Sequence, residues 1–208
     1  MRTDRIETLC DGIFAIVMTL LVLNLSVPVV TAEAELFNKL LAMWPKFLAY
    51  VISFVVLGVI WSFHHRLLDV VRKSDGWFLW MNICFFMIVA FVPFTTELIS
   101  EYRHWSAAIV IYGIDSVASF MLLYCQCWYA SAGGRLIDEC IQAKSILELK
   151  VTFAGGAMAS IAAIGFSFVN TNISIFIFAI VYAVFVVFVV TRGMFDGRAA
   201  QADSKQNA

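Results

Sequence analysis

Residues 5–23 read RIETLCDGIFAIVMTLLVL, a short polar beginning followed without a break by an apolar run. A helix needs about 20 mostly apolar residues to cross the hydrocarbon core of a bilayer. A cleavable signal peptide does not fit, because Asp11 stands at the start of the run and no small-residue cleavage site follows it. The stretch therefore predicts a first transmembrane helix, which we place at residues 9–30.

The composition of the whole chain also indicates a protein that lies in a lipid bilayer. Hydrophobic residues make up 62% of the 208 residues, charged residues make up 14%, and the mean hydropathy is +0.89. Soluble domains carry about 25% charged residues, so this chain cannot cover a water-facing surface. We predict an all-α membrane protein surrounded by lipid. The net charge of −1 and the lack of a basic cluster indicate no nucleic-acid partner.

Five further apolar stretches complete a prediction of six transmembrane helices in one membrane domain, residues 1–192. A polar cytoplasmic tail, residues 193–208, follows and is expected to be disordered. Pro93 lies inside the third span and is expected to kink or stop it. The fifth span is rich in small residues, which let helices approach closely in lipid. The later spans are predicted from just after Pro45 to residue 63 and at 77–99, 105–130, 151–169 and 173–190.

The distribution of Lys and Arg predicts the orientation of these spans. One set of flanks holds only Lys39, Lys46 and Arg103. Basic residues concentrate on the cytoplasmic side of membrane proteins, so the richer flanks and both termini are predicted to be cytoplasmic. The richer flanks hold the other eleven basic residues: Arg2, Arg5, Arg66, Arg72, Lys73, Arg135, Lys144, Lys150, Arg192, Arg198 and Lys205.

Two features set the first span apart from the others. Arg5 and Asp11 lie at its inner edge, and ionisable groups at such a depth are either solvated or paired. We favour pairing, because the next two spans bring suitable polar side chains to the same depth, namely His64, His65 and Asn82. Further along, Ile16, Leu20 and Leu23 share one face and Thr19 borders them. Such a stripe is equally compatible with ordinary helix packing.

The polar beginning of the first span resembles a family signature. Arg5-x-x-x-Leu9-Cys10-Asp11-Gly12 is similar to the Arg-x-x-x-Phe-Ser-Asp-Gly sequence of the transmembrane protein 175 family. Those proteins are endosomal and lysosomal potassium channels in animals, with short relatives in bacteria and archaea. This chain has Leu9 in place of Phe, and Cys10 in place of Ser, which leaves only a weak hydrogen-bonding group.

Further similarities to the short members lie in the second and third spans. They are Trp61-x-x-His64-His65-Arg66, Asn82 and Pro93-Phe94.

The resemblance implies a potassium-permeable channel whose pore is lined by the first helix. Its narrowest part would be formed by Ile16, Thr19 or Leu20, and Leu23. The inner polar cluster would comprise Arg5, Cys10, Asp11, Gly12, His64, His65 and Asn82. Potassium and other monovalent cations would flow downhill with modest selectivity, in the plasma membrane of a prokaryote, without a cofactor.

The expected number of subunits follows from the fact that the family signature, Arg5 to Gly12, occurs once in the chain. No internal repeat is evident, and one pore-lining helix cannot enclose a channel. Animal members resemble two fused copies that dimerise, so a single-copy chain is expected to form a homotetramer.

Two other functions fit parts of the sequence. Asp115 lies in the middle of the fourth span, and an intramembrane acid is typical of proton- or cation-coupled transporters. The same side chain could simply bond to a neighbouring helix, and the inverted repeats of transporters are not evident. His64 and His65 with Asp11 could be drawn as a catalytic or metal group. Adjacent helical residues point about 100° apart, and no nucleophile is evident, so we predict neither an enzyme nor a metal site.

Overall fold

The computed structural model describes residues 3–137 and 143–206, with side chains described as far as Thr191. Arg2, counted above among the inner basic residues, lies outside this range. Within it, six helices are long and apolar enough to cross a membrane, which confirms the predicted all-α, six-span architecture. The helices are α1 Asp4–Leu20, α2 Glu33–Ala42, α3 Trp44–Val70, α4 Gly76–Glu101, α5 Ser106–Ser131, α6 Ala143–Ser167 and α7 Thr171–Gln206.

The first span begins and ends earlier than predicted. α1 starts at Asp4, and a 3₁₀ turn, Leu21–Asn24, completes the span. The following residues leave the helix because Pro28 lacks a backbone N–H and disfavours helical geometry in the residue before it. The short helix α2 was not predicted; it lies between the first two spans and none of its residues is buried.

Pro93 does not stop the third span. α4 continues through it to Glu101. The carbonyl that loses its donor is that of Val89, four residues before the proline. Val89 and Val92 are both buried, so packing holds α4 in helical form around Pro93. The Asn24 side-chain amide donates to the Pro93 carbonyl at 2.9 Å, so the C-terminal end of the first span is tied to the proline turn of α4.

The helices form one bundle in which α5 packs between α4 and α6, and α7 packs against α6 and α3. Phe63 of α3 is fully buried at its centre. Its ring lies 5.4–6.5 Å, centroid to centroid, from the rings of Phe120, Phe153, Phe185 and Phe188 on three other helices. α1 stands at the side of this bundle and packs against α3 and α4.

The inner connection into α4 is fixed by Asp75. Its carboxylate accepts the N–H of Phe78 at 2.9 Å, which caps the helix, and the hydroxyl of Tyr129 at 2.7 Å. These two donors hold the pKa of Asp75 below its ordinary value. The cap therefore keeps its charge at neutral pH and joins the start of α4 to the end of α5.

The last helix is longer than the sequence suggested. α7 runs to Gln206, so the tail expected to be disordered is helical as far as the structure describes it. The physical reason is local composition, because residues 199–202 are three alanines and a glutamine, which favour helix.

Candidate pore-lining face and inner polar cluster

The first helix has one buried and one uncovered face. The buried face packs on α3 and α4. It carries Ile6, Cys10, Phe14 and Val17, followed by Leu21 in the 3₁₀ turn. The opposite face has no neighbour among the residues of the protomer that the structure describes. The helix is thus attached along a single stripe, and the rest of its surface is available to lipid, water or another subunit.

The predicted constriction residues lie on the uncovered face. Ile16 is 60% exposed, Leu20 is 42% exposed and Leu23 is 71% exposed. Thr19 is exposed beside them. Its hydroxyl donates back to the carbonyls of Ile16 at 2.7 Å and Ala15 at 3.0 Å, so its oxygen lone pairs remain available.

This face differs chemically from an ordinary lipid-facing surface. It also exposes Thr8, Gly12 and Ala15, which are small or hydroxylated residues. Most exposed positions of α7 are instead large and apolar: Ile173, Phe176, Ile180, Val184, Val187 and Val190. The exposed small or polar residues of α7 are Ala183 and, at the ends of the span, Asn172 and Thr191. Small and polar residues in membrane helices concentrate where helices meet or where water enters.

Val17 and Val22 neighbour the stripe in sequence, and their burial decides whether they can serve as control positions for substitutions on the stripe. By helical spacing alone, Val17 and Val22 lie off the stripe of Ile16, Leu20 and Leu23. Val17 is 3% exposed and packs against the bundle, whereas Val22 is 48% exposed. A polar substitution at Val17 would therefore disturb the core, and Val22 is not clearly separate from the uncovered face.

The predicted polar cluster divides into a buried part and a surface part. In the buried part, His64 is fully enclosed and links two helices. Its Nδ1 lies 3.2 Å from the Cys10 sulfur, and its Nε2 lies 2.7 Å from the Asn82 side-chain oxygen. The ring also stacks on Phe85 at 4.9 Å, nearly parallel. α1, α3 and α4 are thus joined at one imidazole.

The hydrogen-bond partners fix the tautomer of His64. The Asn82 amide nitrogen donates to the Phe78 carbonyl at 2.7 Å, so its oxygen must face the imidazole. Nε2 therefore carries the proton and donates to Asn82, and Nδ1 accepts from the thiol of Cys10. Every polar atom of the ring is satisfied without a charge.

The surface part is held by aromatic contacts. Asp11 accepts from the Trp61 indole N–H at 2.8 Å, rather than from the histidines or Asn82 as we expected. His65 stacks on Trp61, with ring centroids 5.5 Å apart, and its Nδ1 lies 3.5 Å from a Glu7 carboxylate oxygen. Asp11 is exposed because it follows Cys10 by about 100° around the helix, which turns it away from His64.

Two predicted members make no contact within the cluster. Arg5 is exposed and has no hydrogen bond or ion pair with the residues that the structure describes. Gly12 is also exposed, and a Cβ added to it would meet nothing within 4 Å.

Trp61 and Glu7 were not predicted as partners. The i, i+4 spacing of Trp61 and His65 places both side chains on one face of α3, and this spacing could have indicated Trp61 as a partner.

Comparison with known proteins identifies relatives of this chain. The sequence pattern of the family described as the endosomal/lysosomal potassium channel TMEM175 matches residues 5–93. A potassium channel of Streptomyces collinus is 31% identical over 178 residues, which is 84% of this chain and 86% of the relative. A potassium channel of Chamaesiphon minutus is 32% identical over 192 residues, covering 88% of this chain and 94% of the relative.

The fold has a counterpart among solved structures. The crystal structure of a lysosomal potassium-selective channel TMEM175 homolog from Chamaesiphon minutus superposes with a TM-score of 0.81 at 28% identity. The similarity covers 90% of this chain and 97% of that one.

Proposed function

The chain belongs to the TMEM175 family, and on that premise we propose that it is a potassium channel. Potassium flows passively down its gradient through a pore lined by α1. Ile16, Leu20 and Leu23 form the constriction, with Thr19 beside them. The relatives are named potassium channels, which favours this function over a proton- or cation-coupled transporter.

The observation that carries the proposal is the uncovered face of α1. Large apolar side chains at Ile16, Leu20 and Leu23 point away from the protomer, on a face that also carries Thr8 and Gly12. Apolar rings of this kind close a pore by dewetting, without a plug or a charged gate. Ions pass when the helices tilt or rotate and the rings widen.

We propose a homotetramer because each protomer supplies one such helix. A single helix cannot surround an ion path, whereas four copies of α1 around a cyclic axis would cover the face that the protomer leaves open. The purified protein in mild detergent should have a protein mass four times the 23.3 kDa of the chain, measured by native mass spectrometry. A monomer or dimer under conditions that preserve flux would contradict this stoichiometry.

Selectivity is modest in this mechanism. The walls of the constriction offer a cation no oxygen except the Thr19 hydroxyl and water, since the other side chains are hydrocarbon. Potassium and other monovalent cations therefore differ mainly in the energy of partial dehydration. The channel lies in the plasma membrane of a prokaryote, with both termini cytoplasmic, in keeping with the basic residues at the inner flanks.

Flux from purified protein in liposomes tests the function. Liposomes carry a potassium gradient with sodium and pH equal on both sides, and a potassium ionophore gives the full release. We expect potassium to leave down its gradient in protein-containing liposomes and not in empty ones. Flux that required an imposed proton or sodium gradient would instead indicate a coupled carrier.

A further inference from the structure

Three buried side-chain oxygens on α5 have no hydrogen-bond partner among the residues that the structure describes. One is Oε1 of Gln126, further along the helix, and the other two are the Oδ1 atom of Asp115 and the hydroxyl oxygen of Ser119. Asp115 is 7% exposed and Ser119 is 1% exposed, so lipid headgroups and bulk water do not reach them freely. Inside a membrane an unsatisfied polar atom is strongly destabilising, because no water is present to bond it. Such atoms in a folded protein call for a bound partner.

The two oxygens are placed to share one partner. Asp115 and Ser119 are separated by four residues on α5, so they lie on the same face, one turn apart, with Cβ atoms about 5–6 Å from each other. Thr95 of α4 stands opposite and donates its hydroxyl to the other carboxyl oxygen of Asp115 at 3.3 Å. The Asp115 carboxyl group and the Thr95 hydroxyl, which also donates to the Val92 carbonyl at 3.0 Å, thus meet between α4 and α5, and the Ser119 hydroxyl lies one turn along the same face of α5.

Neither protonation state of Asp115 removes the need for a partner. A carboxylate would present Oδ1 as an unfilled acceptor, and a neutral acid protonated there would present an unfilled donor. No Lys, Arg or His among the described residues forms an ion pair with it. The titratable groups that interact with it electrostatically are two phenols, Tyr112 on α5 and Tyr182 on α7.

A cavity leads from the outer surface toward this point. It has a volume of about 310 Å³ and is lined near its outer end by Trp44, Arg103 and Asn172. Deeper in the bundle it reaches Ser53 and Tyr112. Tyr112 precedes Asp115 by three residues on α5, which places the carboxyl about one helical turn further into the membrane.

The cavity ends at Tyr112, one helical turn short of the two oxygens. On the other side of the site, Phe120 and Leu123 of α5 are fully buried and separate it from the inner polar cluster. The site therefore lies nearer to the outer cavity than to the inner polar cluster. It lies between α4 and α5, whereas α1 packs against α3 and α4.

We propose that each protomer binds one monovalent cation, a metal ion or hydronium, at Asp115, Thr95 and Ser119, entering from the outer side. The site supplies a single negative charge with neutral oxygens, which balances one positive charge and not two. Bound there, the cation joins α4 to α5 at mid-membrane. The site is independent of the pore and does not conduct.

Difference infrared spectroscopy of the full chain in lipid tests the site, because it reports the carboxyl group itself. Bands of Asp115 are identified as those absent from Asp115→Asn. If a metal ion binds, replacing N-methylglucamine by potassium or sodium at fixed pH shifts these bands. If hydronium binds, they respond to pH and not to the metal ion. Bands that respond to neither would overturn the proposal.

Two further variants make the test specific. Ser119→Ala keeps the carboxyl group and removes one oxygen ligand, so the half-saturating cation or proton concentration should rise about tenfold. If Ser119→Ala leaves the half-saturating concentration unchanged, the shared site is overturned. This comparison does not depend on Asp115→Asn, so it remains decisive if that variant fails to fold. Asp75→Asn removes a carboxylate outside the spans and can still cap α4, so it should leave the midpoint unchanged.

Discussion

At the residue scale, the buried contact between Cys10 and His64 links α1 to α3 and, through Asn82, to α4. The thiol is the donor to Nδ1, since Nε2 is already committed to Asn82. A thiol is a weak donor, and the hydroxyl of serine is a better one. The choice of residue at position 10 therefore sets the strength of this link without changing its geometry.

Substitution of Cys10 tests this link. Cys10→Ala leaves the buried Nδ1 without a partner and should lower the free energy of unfolding by about 1–3 kcal/mol. Cys10→Ser keeps a donor and should stay within about 1 kcal/mol of the parent. Denaturant titration in detergent measures both. Equal stability of the alanine and serine variants would show that the sulfur contributes no hydrogen bond.

Asp11 shows how much of the inner polar cluster could be predicted from the sequence. Its position at the membrane edge identified a residue that needs donors, and α3 does supply one, at Trp61. Its partner could not be derived, because neighbouring residues on a helix point about 100° apart and the rotation of α1 against α3 is set by packing of Phe14 and Val17. That rotation turned Cys10, and not Asp11, toward His64.

At the element scale, α6 packs closely on α5 at two glycines, Gly113 of α5 against Ile164 and Gly156 of α6 against Phe120. A Cβ added to Gly156 would lie 2.6 Å from the ring of Phe120, which is fully buried and cannot move freely. The adjacent Gly155 has open space, with nothing within 4 Å of its added Cβ. The run of small residues predicted close packing here, but only the structure distinguishes Gly155 from Gly156.

Alanine substitutions at these two positions form a matched pair. Gly156→Ala should destabilise the fold by about 1–3 kcal/mol, because the extra methyl group overpacks the contact with Phe120. Gly155→Ala should be neutral, or stabilising by up to about 1 kcal/mol through helix propensity. Thermal unfolding of the purified variants provides the comparison. A loss of stability at Gly155 equal to that at Gly156 would contradict the packing.

The ends of the elements show what hydropathy cannot resolve. Apolar residues continue past Asn24 to Val30, so the first span was predicted to be longer than it is. Pro28 ends regular structure there, while Pro93 does not end α4. The difference lies in the packing around each proline, since Val89 and Val92 near Pro93 are buried in the bundle, whereas Val27 and Val29 beside Pro28 are exposed.

At the scale of the whole molecule, six spans place both termini on the same side of the membrane. We expect that side to be the cytoplasm, because eleven of the fourteen basic residues flank it. Epitopes at either terminus should be inaccessible to antibody on intact cells. An epitope at Thr31, in the outer segment before α2, should be accessible. Labelling of a terminus from outside would reverse the orientation.

The sequence of one chain gives only indirect information about how several subunits assemble. The stripe of Ile16, Leu20 and Leu23 was evident from spacing alone, but the same spacing describes ordinary packing. The protomer resolves this choice in part by leaving the stripe uncovered, while Val17 on the same helix is buried. What covers the stripe is a property of several copies together.

The central claim is that this uncovered face lines the pore, and Ile16→Asn tests it most directly. Ile180 on α7 is the matched control, since it is the same residue type with nearly the same exposure, 62% against 60%. In liposome flux assays, Ile16→Asn should wet the constriction, raise basal potassium flux several-fold and weaken discrimination against sodium. Ile180→Asn should behave as the parent. Equal effects of the two substitutions would contradict a pore lined by α1.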